Sequence, residues 1–355
     1  MKLGLVIYGS LETMSGGYLY DRKLVEYLRS QGEAVEIISL PWRNYAAHLA
    51  DNLWFRLPPH PNLDILIQDE LNHPSLILAN RQKRPYPVIS LVHHLRASEL
   101  RPAWQNVFYG LIEKKYLQSV DGFIFNSKTT ENAVHGLLNY RKPSIVAYPP
   151  TDRFGEPLSK QEIIERAKRH ELRILFLGNV IYRKGLHTLL EAIKNLASKV
   201  TLDVVGSLEA EPGYVRQINA SIVRDDLSAA VSFHGPLDKE PLVEQLKQAH
   251  VLAVPSSYEG FGIVYLEGMC FGLPAIGTTA GAANEIISDG VDGFLIEPEN
   301  ARELTDRLKI LSERRDVLLQ MSLAARERYL RQPKWEATAR HVREFLLKQI
   351  EEFSV

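Results

Sequence analysis

The stretch of sequence that decides the fold reads VPSSYEGFGIVYLE and occupies residues 254–267. Val254 ends an apolar run typical of a buried strand, and the loop after it holds Glu259 and two glycines, Gly260 and Gly262. Helical spacing begins near Gly262, so the stretch predicts a strand, a tight loop and a helix. Because a helix begins with unpaired amides and a partial positive charge, this turn is suited to bind a diphosphate.

Short apolar runs alternate with amphipathic stretches along the rest of the chain, which is the pattern of parallel sheets covered by helices. The strands predicted in the first half are Leu3–Tyr8, Val35–Leu40, Ile65–Gln68, Val88–Val92, Gly122–Phe125 and Ser144–Ala147, with a helix over Gly16–Ser30. Those predicted in the second half are Arg173–Leu177, Thr201–Val205, Val231–His234, Val251–Val254 and Ala275–Gly277, with a helix near Leu186–Leu196. After about Ala301 the pattern is helical to the end, with one break at Pro333.

The chain of 355 residues is too long for one ordinary core and suits two domains. We expect a Rossmann-like domain over residues 1–150, a linker over 151–170 that begins after Tyr148-Pro149-Pro150, and a second Rossmann-like domain over 171–334. The last helix, 335–355, is expected to return to the first domain. The predicted fold is therefore α/β, with two domains facing each other across a cleft at the carboxyl ends of their strands.

Composition narrows the class of function. Apolar residues make up 45% and charged residues 24% of the chain, as in soluble globular proteins, and the formal net charge of -1 argues against a nucleic-acid partner. The single cysteine, Cys270, excludes a disulfide framework and fits a cytoplasmic location. The first residues lack the features of a leader peptide, and the sequence has no apolar run long enough to cross a bilayer, although peripheral contact with a membrane face stays open.

The spacing from Glu259 to Glu267 resembles the E-x7-E motif of family 4 glycosyltransferases, which have the two-domain GT-B fold. Two further segments resemble that family in the same order along the chain. Gly178 with Arg183-Lys184-Gly185 is similar to its G-x-x-x-x-K-G segment, and residues 281–295 are similar to its G-x-x-E-x-x-x-x-G-x-x-G segment. The likeness covers the second half of the chain and, more loosely, the first.

The resemblance implies a retaining glycosyltransferase that works without a metal ion or another cofactor. The substrates implied are a hexose donor linked to UDP or GDP and a glycan, lipid or small-molecule acceptor. The first domain would then lie on the acceptor side, and the second would bind the donor. No D-x-D pair occurs in the sequence, and the H-E-x-x-H, P-loop and G-x-G-x-x-G signatures are also absent.

The resemblance also assigns roles to residues. Arg183 and Lys184 would neutralise the donor diphosphate, Glu259 would face the sugar, and Glu267 would bind ribose hydroxyls. Catalytic candidates are Glu259, His93, Arg183 and Lys184, and the donor-binding candidates are Gly16, Gly17, Arg183, Lys184, Gly260, Phe261, Gly262, Ile263, Val264 and Glu267. His93 is preferred over His94 as the histidine that contacts the donor.

Structural interpretations of the same residues stay open. Taken alone, Glu259 could be an ordinary carboxylate at a helix start, and Glu267 could be a solvated charge on a helix. The Arg183-Lys184 pair could be a basic pair on a loop, and Ser15-Gly16-Gly17 could be an ordinary turn. Two other functions are compatible with the pattern, a nucleotide-sugar 2-epimerase and an inactive binding subunit. The aromatic segment 96–116 either touches lipid on the acceptor side or is an amphipathic core helix.

Overall fold

A computed structural model describes residues 1–13, 15–57, 63–150, 152–194, 196 and 200–353 of the chain. These residues form two compact units. Unit 1 consists of Met1–Pro150 and Pro333–Val355, and unit 2 consists of Thr151–Gln332. Each unit contains a six-stranded sheet in which all the observed strand pairs are parallel, which confirms the predicted α/β class with two Rossmann-like units.

The sheet of unit 1 has the strand order β2-β1-β3-β4-β5-β6. Its strands are β1 (Lys2–Tyr8), β2 (Ala34–Leu40), β3 (Ile65–Asp69), β4 (Val88–Val92), β5 (Gly122–Phe125) and β6 (Ser144–Val146). The central strands β3, β4 and β5 are buried along their whole length because helices cover both faces of the sheet. Continuous apolar runs were therefore a sound signal for these strands.

Unit 1 packs helices against both faces of its sheet. These helices are α1 (Gly16–Ser30), α2 (Tyr45–Ala50), α3 (His73–Leu76), α4 (Ala103–Leu117), α5 (Lys128–Leu138) and, later in the chain, α13 (Trp335–Phe353). Helices α1 and α13 share one apolar core with the sheet, whereas α3, α4 and α5 contribute to the core on the other side.

The sheet of unit 2 has the strand order β12-β11-β10-β7-β8-β9. Its strands are β7 (Leu172–Leu177), β8 (Val200–Val205), β9 (Val231–Gly235), β10 (Val251–Ala253), β11 (Ala275–Thr278) and β12 (Gly293–Ile296). Strand β12 was not predicted, because its four residues lie inside a segment that was interpreted only as a motif. It pairs with β11 and forms the edge of the sheet.

The helices of unit 2 differ from the sequence prediction at two places. They are α6 (Lys160–Ala167), α7 (Leu186–Ile193), α8 (Pro212–Arg224), α9 (Lys239–Gln248), α10 (Ile263–Cys270), α11 (Ala301–Glu313) and α12 (Arg315–Leu330). Residues 151–170 were expected to form a linker, but α6 occupies part of them. A second break at Arg314 separates α11 from α12 in addition to the predicted one at Pro333.

Helix α6 is part of unit 2 because its residues pack and bond there. Ser159 and Glu162 form a reciprocal capping box at its start, and the Ile163 side chain is fully buried. The buried Arg166 guanidinium donates to the carbonyl oxygens of Phe271 at 2.9 Å and Gly272 at 2.8 Å. The polar composition of residues 151–170 predicted a linker, whereas part of that segment folds as a capped helix.

Among the described residues, no helix combines the length and the apolar composition that a membrane span needs. Within each unit the parallel strands place the loops at their carboxyl ends along one edge of the sheet. In unit 1 the loop after β4 holds His93, and in unit 2 the loops after β7 and β10 hold Lys184 and Glu259. These loops carry the candidate site residues.

Candidate active site

The loop after β10 is tied to the loop after β11 at Glu259. Glu259 forms an isolated parallel bridge with Gly281, and its carbonyl oxygen accepts a hydrogen bond from the Ala282 amide at 2.8 Å. Gly281 has a φ of +85°, and a Cβ placed there would lie 2.1 Å from the Glu259 carbonyl oxygen. Only glycine allows this close approach, so the glycine helps to fix the position of Glu259.

The Glu259 carboxylate is buried and surrounded by donors. Its Oε1 accepts hydrogen bonds from the Lys184 ammonium and from Ser256 Oγ, the latter at 2.7 Å, and Arg183 Nη1 lies 3.8 Å away. Burial opposes ionisation, but the charges of Lys184 and Arg183 outweigh it and lower the pKa of Glu259 to about 2. Glu259 is therefore a carboxylate at every physiological pH and not a simple helix-start charge.

Arg183 and Lys184 lie in a single turn of 3-10 helix, Tyr182–Lys184, after β7. Arg183 Nη1 donates to the Tyr258 carbonyl at 2.6 Å, and the Ser257 amide donates to the Arg183 carbonyl at 2.8 Å. Burial lowers the pKa of Lys184, and the Glu259 charge opposes that shift. These bonds join the two loops, so the basic pair is not the solvated loop pair that its sequence also allowed.

Glycines start the two helices beside this cluster. Helix α10 has Gly262 as its N-cap, with a φ of +91°, and helix α7 has Gly185 as its N-cap. Because glycine has no side chain, neither N-cap residue can cap its helix with a side-chain hydrogen bond. Ile263 and Val264 begin the first turn of α10 directly after Gly262, and Gly260 and Phe261 precede that glycine. Their position suits the predicted contact of helix amides with an anion.

Glu267 lies apart from the Glu259 cluster. It is buried on the next turn of α10, where its Oε1 accepts a hydrogen bond from Arg153 Nη1 at 2.8 Å. Burial raises the pKa of Glu267 and the Arg153 charge opposes the shift. Glu267 is therefore not a solvated helix charge. Its partner Arg153 was missed because the two residues are 114 positions apart.

In unit 1 the structure brings Gly17 and His93 together. Gly16 and Gly17 are the first residues of α1, whose N-cap Ser15 accepts a hydrogen bond from the Tyr18 amide at 3.3 Å. A Cβ on Gly17 would lie 3.1 Å from Cδ2 of the His93 ring. The first turn of α1 thus packs on the imidazole, and the absence of a side chain at Gly17 leaves room for the ring.

The His93 ring is hydrogen-bonded to a fully buried carboxylate that was not predicted from the sequence. Asp21, one turn after Gly17 on α1, has its Oδ1 3.1 Å from His93 Nε2. Burial lowers the pKa of His93, but the hydrogen bond and charge of Asp21, with the charges of Asp69 and Glu70, raise it overall. The neighbouring His94 instead points its Nε2 at Glu99 Oε1, 3.0 Å away.

Further buried carboxyl groups surround this histidine. Burial, together with the charge of Asp21, raises the pKa of Asp69 to about 7, and burial also raises the pKa of Glu70. Potential metal-ligand atoms of Asp21, Asp69 and His93 lie within 4.8 Å of one another, and so do those of Glu70, His73 and Glu113. Asp69 and Glu70 thus lie with Asp21 around His93 as buried carboxyl groups.

Comparison with known proteins finds similarity to glycosyltransferases. Residues 159–328, slightly less than half of the chain, match the family model described as glycosyl transferases group 1. One similar protein is a D-inositol 3-phosphate glycosyltransferase from Xylanimonas cellulosilytica, 26% identical over 209 residues. That alignment covers 56% of this chain and 50% of the relative, so the chain spans about half the length of that curated protein.

Solved structures with the same fold extend over the whole chain. A sucrose-phosphate synthase from Thermosynechococcus elongatus is similar with a TM-score of 0.82 and 19% identity, covering 99% of both chains. HepE from Anabaena, solved in complex with UDP and glucose, is similar with a TM-score of 0.75 and 18% identity, covering 98% of this chain and 99% of its own. The fold is therefore that of GT-B proteins, and the match of residues 159–328 supports the glycosyltransferase class that the sequence predicts.

Proposed function

We propose that this chain is a retaining, metal-independent glycosyltransferase of family 4. It would transfer a hexose from a UDP- or GDP-linked donor to a glycan, lipid or small-molecule acceptor. The observation that carries the proposal is the cluster of the buried Glu259 with Lys184 and Arg183 beside the glycine-capped start of α10. All three residues lie inside the segment that matches the glycosyltransferase family model.

The cluster has the charges that a sugar-nucleotide reaction needs. When the bond between the sugar C1 and the diphosphate oxygen breaks, the leaving group gains negative charge, and nearby cations and helix amides stabilise it. Arg183 and Lys184 supply the cations, and the first turn of α10 supplies the amides. In the front-face mechanism that we propose, the acceptor oxygen bonds to C1 while its proton passes to a leaving phosphate oxygen.

The other candidate residues have supporting roles in this proposal. Glu259, kept ionised by the two neighbouring cations, would face the positive charge that builds on the sugar ring. Glu267 would bind ribose hydroxyls with the carboxylate oxygens that Arg153 leaves available, and His93 would contact the sugar. Gly16 and Gly17 would let the donor phosphate approach the backbone at the start of α1.

The donor class rests partly on a structural neighbour. HepE from Anabaena has been solved with UDP and glucose, and this supports a UDP-linked hexose as the first donor to test. A nucleotide-sugar 2-epimerase would bind the same kind of donor. It would change the sugar without an acceptor, so product analysis separates the two functions.

The experiment that tests the proposal uses the purified chain with UDP-glucose and GDP-mannose as probes. Thermal unfolding should shift upward with one of them, because a ligand at about 100 times its Kd stabilises the folded state by about 2.7 kcal/mol. Lys184→Met should remove most of the shift, whereas Lys239→Met, on the exposed start of α9, should keep it. No shift with either nucleotide sugar would contradict the proposed donor class.

Chelation and product stereochemistry test the finer claims. Stabilisation and transfer should survive a thorough treatment with EDTA, and NMR of the product should show the anomeric configuration of the donor. An absolute requirement for a divalent ion would point instead to the carboxylate groups of unit 1 as ligands. Epimerised nucleotide sugar formed without acceptor would favour the 2-epimerase.

The proposal also places the chain in the cytoplasm, at a membrane face. The single cysteine, Cys270, is fully buried in α10, where burial raises the pKa of its thiol to about 11. Such a thiol is unreactive and gives no sign of disulfide chemistry. Fractionation of the source cells, with the chain detected after washing membranes at high and low salt, tests this location.

A further inference from the structure

Helix α4 presents its apolar side to solvent. Four large apolar side chains follow the helical spacing i, i+3, i+4, i+7 and therefore share one face. Their exposed fractions are 72% for Trp104, 64% for Val107, 44% for Phe108 and 58% for Leu111. Leu100, just before the helix, is 59% exposed. A surface helix of a monomeric protein normally exposes polar residues on this side, so the stripe needs another explanation.

The opposite face of α4 is fixed to unit 1 and prevents the stripe from turning inward. Gly110, Glu113, Tyr116 and Leu117 are its buried residues. The Glu113 carboxylate accepts hydrogen bonds from the backbone amides of Arg96 and Ala97. Burial raises the pKa of Glu113 to about 8, so it adds little negative charge to the helix. The apolar stripe is therefore the permanent outer surface of this helix.

The charges beside the stripe are positive. Lys114 and Lys115 follow Leu111 on the last turn of α4, and neither has a carboxylate partner among the described residues. Glu113 is the one acidic residue of the helix, and it is buried. Arg101, just before the helix, is ion-paired with Glu99. The exposed surface of α4 thus combines apolar side chains with two cations.

A half-buried aromatic residue from α2 packs beside the stripe. Tyr45, at the start of α2, has its ring centroid 6.4 Å from that of Phe108 and 5.0 Å from that of Tyr109. Trp42 precedes Tyr45 by three residues and is 61% exposed. The Trp42 ring packs edge-on against Tyr8 at the end of β1, with ring centroids 5.6 Å apart, so it is not part of the α4 stripe.

We propose that this surface, formed by Leu100, Trp104, Val107, Phe108, Leu111, Lys114 and Lys115, binds an anionic lipid membrane in the interface plane. Trp and Phe side chains favour the headgroup boundary, and lysines bind anionic headgroups. Helix α4, with 15 residues, is about 22 Å long, enough to lie along a bilayer surface.

Charge favours lipid over a second copy of the chain. A self-contact through this surface would bring two cation-bearing faces together, whereas an anionic membrane supplies the opposite charge. Membrane binding through α4 rests on the proposed location at a membrane face but does not depend on the proposed sugar transfer. A lipid-linked acceptor would become easier to reach from this position, but the surface can be tested without any sugar substrate.

The test is co-sedimentation of the full chain with vesicles. Mixed phosphatidylcholine and phosphatidylglycerol vesicles should bind the wild-type chain, and pure phosphatidylcholine vesicles should bind it more weakly. For the variant with Trp104→Ser and Phe108→Ser, the vesicle partition coefficient should fall about tenfold or more, because two side chains that insert into the membrane are lost. For the variant with Lys114→Gln and Lys115→Gln, the partition coefficient should fall about fivefold per lysine, and only on anionic vesicles.

A matched control replaces an exposed apolar residue elsewhere. Val223, on α8 of unit 2, is 75% exposed, and Val223→Ser should bind vesicles as the wild type does. Thermal unfolding should be unchanged in all variants because every altered side chain is on the surface. Wild-type chain that binds no anionic vesicles, or α4 variants that bind as well as wild type, would overturn the proposal. A dimer lost in the Trp104 and Phe108 variant, without vesicle binding, would assign the stripe to a second copy instead.

Discussion

One buried carboxylate cluster in each unit has its pKa values shifted in opposite directions. In unit 2 the Glu259 carboxylate is paired with Lys184 and approached by Arg183, and the two cations lower its pKa to about 2. In the unit 1 cluster beside His93, burial and the charges of neighbouring carboxylates raise the pKa of Asp69 to about 7 and that of Glu113 to about 8. The first cluster keeps a fixed charge, whereas the second gains and loses protons near neutral pH.

This difference separates two kinds of function. A group whose charge does not vary with pH is suited to stabilise charge that develops in a reaction, since its arrangement is ready before the reaction begins. A group that titrates near neutrality makes its surroundings sensitive to pH. The pH dependence of the enzyme should therefore originate in unit 1, around His93, while the strength of transition-state stabilisation should depend on unit 2.

The largest effect should come from breaking the ion-paired cluster. Lys184→Met removes a cation that would stabilise the leaving diphosphate, and transfer should fall about 100-fold or more. It also leaves Glu259 buried without its nearest partner, which should lower the free energy of unfolding by about 3 kcal/mol. Steady-state kinetics and urea unfolding measure the two effects.

A double-mutant cycle separates catalysis from stability in this cluster. Glu259→Gln alone should also reduce transfer strongly while nucleoside diphosphate affinity stays within a few fold. The double variant Lys184→Met with Glu259→Gln contains no unpaired buried charge, so it should regain much of the stability but none of the activity. Activity that returned together with stability would show that the cluster acts only as a structural ion pair.

The fold was predictable because parallel strands buried on both faces have continuous apolar sequences. The strands over 3–8, 88–92 and 122–125 are examples that the structure confirms. Strand β12 was missed because four residues carry little periodicity. Helix α6 was missed because its composition is polar, although Ser159 and Glu162 have the spacing of a capping box.

The candidate site was predictable only where its residues are close together in sequence or resemble a family motif. Arg183, Lys184, Glu259 and Glu267 were named for that reason, but the direct contact of Lys184 with Glu259 joins positions 75 apart and was not foreseen. Asp21 and His93 are 72 positions apart. An aspartate on the apolar face of the predicted helix Gly16–Ser30 was the signal that the sequence offered for that pair.

The next prediction tests how Asp21 acts on His93. Asp21→Asn keeps the shape of the side chain but removes the charge and weakens the hydrogen bond that raise the pKa of His93, so that pKa should fall. If the imidazolium form contacts the donor, turnover at about pH 7 should drop about fivefold and recover at lower pH. NMR titration of the His93 ring and the pH profile of kcat measure both quantities.

A matched control for this variant is Asp121→Asn. Asp121 is also in unit 1, where it bonds to Arg84 at 2.6 Å and to the Val88 amide at 2.7 Å and does not contact His93. The His93 titration should be unchanged in that variant. A His93 titration that is also unchanged in Asp21→Asn would show that Asp21 does not set the charge of the histidine.

The smallest expected effect is on stability, and it concerns Asp69. Its pKa is raised in the folded state, chiefly by burial, from an ordinary 3.8 to about 7, so the folded chain holds a proton that the unfolded chain releases. The stabilising contribution of that proton is complete below about pH 4 and is lost as the pH rises toward 7. Asp69→Asn carries no such proton and should therefore lose less stability than the wild type as the pH rises from about 5 to about 8. Urea unfolding at these two pH values measures the change, with Asp121→Asn as the control. Equal pH dependence in Asp69→Asn and wild type would mean that Asp69 is ionised in the folded chain, and the contrast between the two clusters would then depend on Glu113 alone.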